Sequence, residues 1–157
     1  MNYRTEDEVR DSAKLILGFD KTEPKVKQGT GQITTFNQLG FKGVIDKPDG
    51  WYLPEDKAIP AIILETKSEA EDISLQKWVK ELKKNCNIVL KQYRHVVGIL
   101  YNGQTKYFCT NSRASAMFSS TATCQVIKEP WRNHLKNAIH LFLPLLFACL
   151  IHSSELI

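Results

Sequence analysis

The sequence predicts a mixed α/β domain, an α+β sheet flanked by helices, and three observations predict it. A helix with a start signal opens the chain. A run of consecutive apolar residues near the middle reads as a buried strand, and two β-prone runs joined by Asn-Gly follow an amphipathic helix. The 157 residues leave room for one domain with a full core and a further segment.

The first helix is expected from about Thr5 to Leu17. Thr5 stands at the cap, Glu8 three residues on as the capping-box partner, and Val9, Ala13, Ile16 and Leu17 form one apolar face before Gly18 ends it. Residues 20–43, with KTEPKVKQGTGQ at their centre, read as a long loop containing a short strand at Ile33–Phe36. Its Lys21, Lys25 and Lys27, beside Gln28, Thr30 and Gln32, suit contacts to phosphates, although a solvated surface loop has the same composition.

The segment FKGVIDKPDGWYL predicts a strand at Gly43–Ile45, a tight turn at Pro48-Asp49-Gly50, and a second strand at Trp51–Leu53. IPAIILETK, Ile59–Lys67, is the clearest strand, with apolar residues in succession as in a strand covered on both faces. A helix is expected over about Ile73–Tyr93, with Leu75, Trp78, Val79 and Leu82 inward and Lys77, Lys80, Glu81, Lys83 and Lys84 on the polar side. Val96–Tyr101 and Lys106–Cys109 form a hairpin around Asn102-Gly103.

This domain is expected to span residues 1–111. The segment 112–157 differs in texture. Its apolar run, Ala138–Ile151, is interrupted by His140 and Pro144 and falls short of the roughly 20 residues that span a bilayer. A core or interface helix, a membrane contact, and a non-native tail left by truncation or a frame change all fit it. No membrane partner is expected.

The hydrophobic fraction of 43% and charged fraction of 24% exclude wholesale disorder, collagen-like chains and coiled coils. The net charge of +4 permits approach to a polyanion without requiring it. None of the four cysteines lies at zinc-knuckle spacing from another, and the charged opening MNYRTEDEVR is unlike a secretory leader. Reduced thiols in a cytoplasmic protein are the expectation.

The chemistry concentrates on one strand. Glu65 and Lys67 are two residues apart, so both emerge on the same face at the end of an apolar run. A carboxylate and an ammonium there are costly unless paired or bound to metal. A return from Trp51 through Pro54–Pro60 brings Asp49 back towards Glu65. Two carboxylates suit Mg²⁺, with Mn²⁺ as a substitute, and the backbone carbonyl of Thr66 is a further ligand candidate. A lysine beside such a metal stabilises negative charge developing on a phosphoryl group. Asp46 competes with Asp49, since FKGVID also reads as a strand whose last residue faces the metal.

Pro48-Asp49-Gly50 followed by Ile63–Lys67, ILETK, resembles the Asp…Glu-x-Lys signature of PD-(D/E)XK nucleases. The text FKGVIDKPDGWYL…AIILETKSEAEDI…YRHVVGILYNG resembles the N-terminal nuclease domains of type I and type IIG restriction-modification enzymes, over residues 3–110. The resemblance implies a restriction-endonuclease-like fold and Mg²⁺-dependent hydrolysis of double-stranded DNA in the bacterial cytoplasm. It also implies methyltransferase, translocase or specificity modules supplied elsewhere. By motif position Asp49 and Glu65 would be metal ligands and Lys67 the catalytic lysine.

Family members also place an acidic residue on the first helix, for which Glu8 is the first candidate and Glu6 the second; the capping box is the other use for Glu8. The family's Gln with Tyr four residues on is missing: Gln76 is followed by Lys80 and Gln92 by Val96, leaving Gln92-Tyr93 as a degenerate version. The alternative expectation is a catalytically inactive DNA-binding or structural module of the same fold.

Overall fold

The computed structural model describes residues 2–104, 106–112 and 124–127. Helix α1 spans Glu6–Leu17, strand β1 Val26–Thr30, β2 Gly50–Pro54, β3 Ala61–Thr66, helix α2 Gln76–Leu90, β4 His95–Tyr101, β5 Lys106–Ser112 and β6 Cys124–Ile127. The strands form one mixed sheet in sequential order, in which β3 and β4 are parallel and every other neighbouring pair is antiparallel. This is the expected α+β class, a mixed sheet with two helices.

Successive side chains of a strand point to opposite faces, and two cores separate on that basis. On one face Ala61 and Ile63 of β3, with Val96 and Leu100 of β4, pack against Leu82, Cys86 and Val89 of α2. On the other, Leu64, Ile99 and Tyr101 meet Val9 and Ala13 of α1 and Phe19 beyond it. Glu65 belongs by parity to the α2 face. The parallel β3–β4 pairing requires the crossover that α2 supplies.

Helix α1 forms as its signals dictate. Thr5 Oγ1 accepts from the Glu8 amide at 3.3 Å, the Glu8 carboxylate accepts from the Thr5 amide at 2.7 Å, and Gly18 leaves the helix at φ 72°. The residue before the cap ties the helix down. The Arg4 amide donates to Glu69 Oε2 at 2.9 Å, and its guanidinium donates to the Gly103 carbonyl at 2.7 Å. Glu69 returns its own amide to the Arg4 carbonyl at 3.0 Å.

Several local expectations are corrected. Ile33–Phe36 is no strand, and Ile33 is 82% exposed; the strand in this region is Val26–Thr30, paired to β2 from Val26↔Pro54 to Thr30↔Gly50. VKQGT carries almost no apolar alternation because it is partly exposed along its length, so periodicity does not reveal it. Gly43–Ile45 is also no strand: Gly43 has φ 78°, and Ile45 points to solvent.

Pro48-Asp49-Gly50 is not a tight turn between strands. The Asp49 carbonyl accepts from the Gly31 amide at 3.0 Å, continuing the β1–β2 pairing, and Gly50 is the first residue of β2. Glycine is needed there for close approach, since a Cβ would lie 3.0 Å from Leu64 Cδ2 and 3.2 Å from Thr30 Cγ2. The β4–β5 hairpin is as expected, closing at Tyr101↔Lys106. Strand β6, which falls in the segment expected as 112–157, pairs with β5 of the preceding domain; the apolar run 138–151 lies outside the described residues. Among the described residues no helix is long and apolar enough to cross a membrane.

Helix α2 and β4 approach closely at Gly98. A Cβ on Gly98 would come within 2.6 Å of Cys86 Sγ and 3.1 Å of Leu82. Gly98→Ala is therefore expected to lower stability by about 1–3 kcal/mol, as overpacking does. Urea unfolding that leaves the midpoint unchanged would contradict this packing.

Candidate active site

The site forms where the β2–β3 ladder ends. Its last pair is Gly50↔Leu64, so Asp49 and Glu65 are the next residues out and stand opposite each other. The Asp49 carboxylate replaces the missing rung: Oδ2 accepts from the Thr66 amide at 2.7 Å and from the Thr66 hydroxyl at 3.0 Å. Thr66 is fully buried, so this contact holds the aspartate to the end of β3. The backbone of Asp49 is committed to β1 and its side chain to β3.

Glu65 is 3% exposed, and Asn85 of α2 donates its side-chain amide to Oε1. Burial, reinforced by the charge on Asp49, pushes its pKa from 4.5 to about 8. Asn85 and Lys67 act the other way, by hydrogen bond and by charge. Among the described residues Glu65 has no ion-pair partner, because Lys67 pairs with Glu81 Oε2 at 3.2 Å.

Lys67 is buried, with its ammonium 4.6 Å from the centre of the Trp78 ring. Burial acts against its charge, but Glu81 and then Glu65 outweigh that, and its pKa is raised. Lys67 is thereby held protonated.

Helix α1 closes the other side. Arg10 is 7% exposed, with Nη1 3.5 Å from Asp49 Oδ1 and 4.0 Å from Glu6 Oε1, while Nη2 bonds Asp7. Burial, and then the charge on Asp49, raises the pKa of Glu6.

The structure thus brings Asp49, Glu65, Thr66 and Lys67 together, and it separates the others from them. Glu8 is spent on the capping box, and those bonds to Thr5 lower its pKa; Glu6, one helical position from the cap, is the acidic residue that faces the cluster. Asp46 is turned to Lys84 of α2. Gln92, beyond the C-terminal end of α2, donates to the Gly40 carbonyl at 3.0 Å.

Lys21, Lys25 and Lys27 are exposed. Lys27 stands opposite Leu53, three residues along the ladder from the Gly50 end, or about 10 Å.

Arg10, Glu81 and Asn85 were not singled out from the sequence. Asn85 lies three residues after Leu82 and four before Val89, inside an apolar stripe, and that position is the signal for a buried polar contact.

Comparison with family models, curated proteins and solved structures finds no match to this chain. Among the described residues no three Asp, Glu, His or Cys side chains converge to enclose a metal ion. The donor set still fits a hard divalent cation that keeps part of its water shell. Asp49 and Glu65 offer carboxylate oxygens side by side, and among the described residues the buried Glu65 makes no ion pair.

The raised pKa of Glu65 has a definite sign. The folded state binds its proton more tightly than the unfolded state, so this contribution is complete below about pH 4.5 and is lost as pH rises through about 8. Without divalent metal, stability should fall across that window, and Glu65→Gln should flatten the profile and be the more stable protein at pH 8. Parallel pH profiles of the two proteins in urea would contradict the assignment.

Proposed function

We propose that this chain is a Mg²⁺-dependent endonuclease module of the PD-(D/E)XK type, with a restriction-endonuclease-like fold, that hydrolyses phosphodiester bonds of double-stranded DNA. Its setting would be a bacterial restriction-modification system in the cytoplasm, with methyltransferase, translocase or specificity modules supplied elsewhere. The observation that carries the reading is the buried Glu65 beside Asp49, with Lys67 one strand repeat further on the same face.

Asp49 and Glu65, with the Thr66 carbonyl, would hold Mg²⁺ or Mn²⁺. Such an ion, when bound, polarises a phosphoryl oxygen and makes a coordinated water more acidic. Lys67 is protonated and fixed between Glu81 and Trp78, so it acts as a cationic donor toward a phosphoryl oxygen rather than as a base. Thr66 keeps the Asp49 carboxylate in register with Glu65. Lys21, Lys25 and Lys27 extend the contact to flanking phosphates.

One observation favours the second reading, a catalytically inactive DNA-binding or structural module of the same fold. Asp49 and Lys67 are each engaged internally, by Arg10 and Glu81.

Mg²⁺-dependent nicking of supercoiled plasmid separates the two readings. Asp49→Ala, Glu65→Ala and Lys67→Ala should each reduce it by at least about 10²-fold, with the circular dichroism of the folded protein preserved. Undiminished nicking by all three variants would overturn the endonuclease reading. Absence of nicking, with no Mg²⁺ or Mn²⁺ binding in calorimetry, would favour the inactive module. If the three lysines touch phosphates, each Lys→Ala change lowers the slope of log affinity against log salt by about one. An unchanged slope removes them from the interface.

A further inference from the structure

The residue to account for is Arg10. On a helix, an arginine three and four residues after acids commonly makes a solvated pair with them and leaves its head in water. Arg10 instead has a side chain only 8% exposed and is directed into the carboxylate cluster. Its Nη1 is buried and makes no hydrogen bond, standing 3.5 Å from Asp49 Oδ1 and 4.0 Å from Glu6 Oε1. A buried donor on a charged group is costly to leave unsatisfied. The arrangement is therefore a compromise between two carboxylates rather than an optimised pair.

The two oxygens of Asp49 are unequal. Oδ2 is fixed by the amide and hydroxyl of Thr66, and Oδ1 faces the Arg10 guanidinium. A cation that binds Asp49 beside Glu65 without breaking the Thr66 contact is left Oδ1, and Nη1 stands 3.5 Å from that atom.

We propose that Arg10 is a built-in counter-ion that competes with the divalent cation for Asp49 Oδ1, and that Glu6 receives its Nη1 when the cation binds. This rests on the reading of Asp49 and Glu65 as a cation site, and it does not depend on cleavage. The geometry favours a short exchange. Asp7 already holds Nη2, so the guanidinium pivots about that bond, and Glu6 lies 0.5 Å farther from Nη1 than Asp49 does, 4.0 against 3.5 Å. In the cation-free protein Arg10 balances Asp49; in the bound protein it balances Glu6.

The test is Mn²⁺ titration of the full chain by calorimetry without DNA, paired with thermal melting with and without Mn²⁺. Arg10→Gln removes the competitor, so it should bind Mn²⁺ at least about tenfold more tightly than the parent. Its melting temperature should be lower without metal and recover in saturating Mn²⁺. Glu6→Gln, at a partly exposed position, removes the receiving carboxylate and should weaken Mn²⁺ binding. Arg10→Gln binding Mn²⁺ as weakly as the parent or more weakly would overturn the competition and make Arg10 an anchor for Asp49. Glu6→Gln binding as tightly as the parent would overturn the exchange. No Mn²⁺ binding by the parent or either variant would overturn the underlying cation site instead.

Discussion

Glu65 sits near the end of β3, a strand buried at all but one of its positions, and a carboxylate there cannot be stabilised by water. Every polar residue around it is arranged by that constraint. Asn85 interrupts the apolar stripe of α2 to donate to it, and Lys67 is held nearby by Glu81 and Trp78. Arg10 crosses from the opposite helix layer to balance Asp49 beside it. Charge remains unevenly matched, because Glu6, Asp7, Asp49 and Glu81 outnumber Arg10 and Lys67 even before Glu65 is counted. A hydrophobic residue at position 65 would remove the burden, so the fold itself supplies no reason for a carboxylate there.

The end of the β2–β3 ladder turns backbone geometry into site geometry. Where main-chain pairing stops, the Asp49 side chain takes the Thr66 amide, so two carboxylates from different strands come to adjacent positions through the register alone. Gly50 permits this because Leu64 and Thr30 crowd the space a side chain would fill. Rigid elements on three sides hold the carboxylates more firmly than a loop would, as a cation site requires.

The elements that sequence periodicity and capping chemistry specify strongly are those the structure contains: α1 with its Thr5–Glu8 box, the buried β3, α2 and the Asn102-Gly103 hairpin. The adjacency of Asp49 and Glu65 was also legible, since it needs only an antiparallel return. Strand β1 was not, because VKQGT lies at a partly exposed edge where burial leaves no alternating pattern. Gly50 looked like a turn residue, though steric crowding explains it. Arg10 and Glu81 were hidden for a different reason. Charged residues on amphipathic helices ordinarily face water, and only the tertiary placement of α1 and α2 buries Arg10 and brings the half-exposed Glu81 to Lys67. Glu8 outranked Glu6 on motif position, yet the capping box had already used it.

The strap at Arg4 ties the start of α1 to Glu69 and to the turn after β4. Arg4 and Gly103 are separated by 99 positions in the chain, and helix α1, which carries Glu6 and Arg10, is anchored through that contact. During synthesis at roughly 5–20 residues per second, α1 leaves the ribosome about 5–20 s before its anchor is made. Asp49, Glu65 and Glu69 all emerge within that interval, so at its end only the Gly103 half of the strap is still to form. A nascent chain halted before the β4–β5 turn would carry Arg10 and the carboxylates without the Gly103 contact that helps hold α1 beside them.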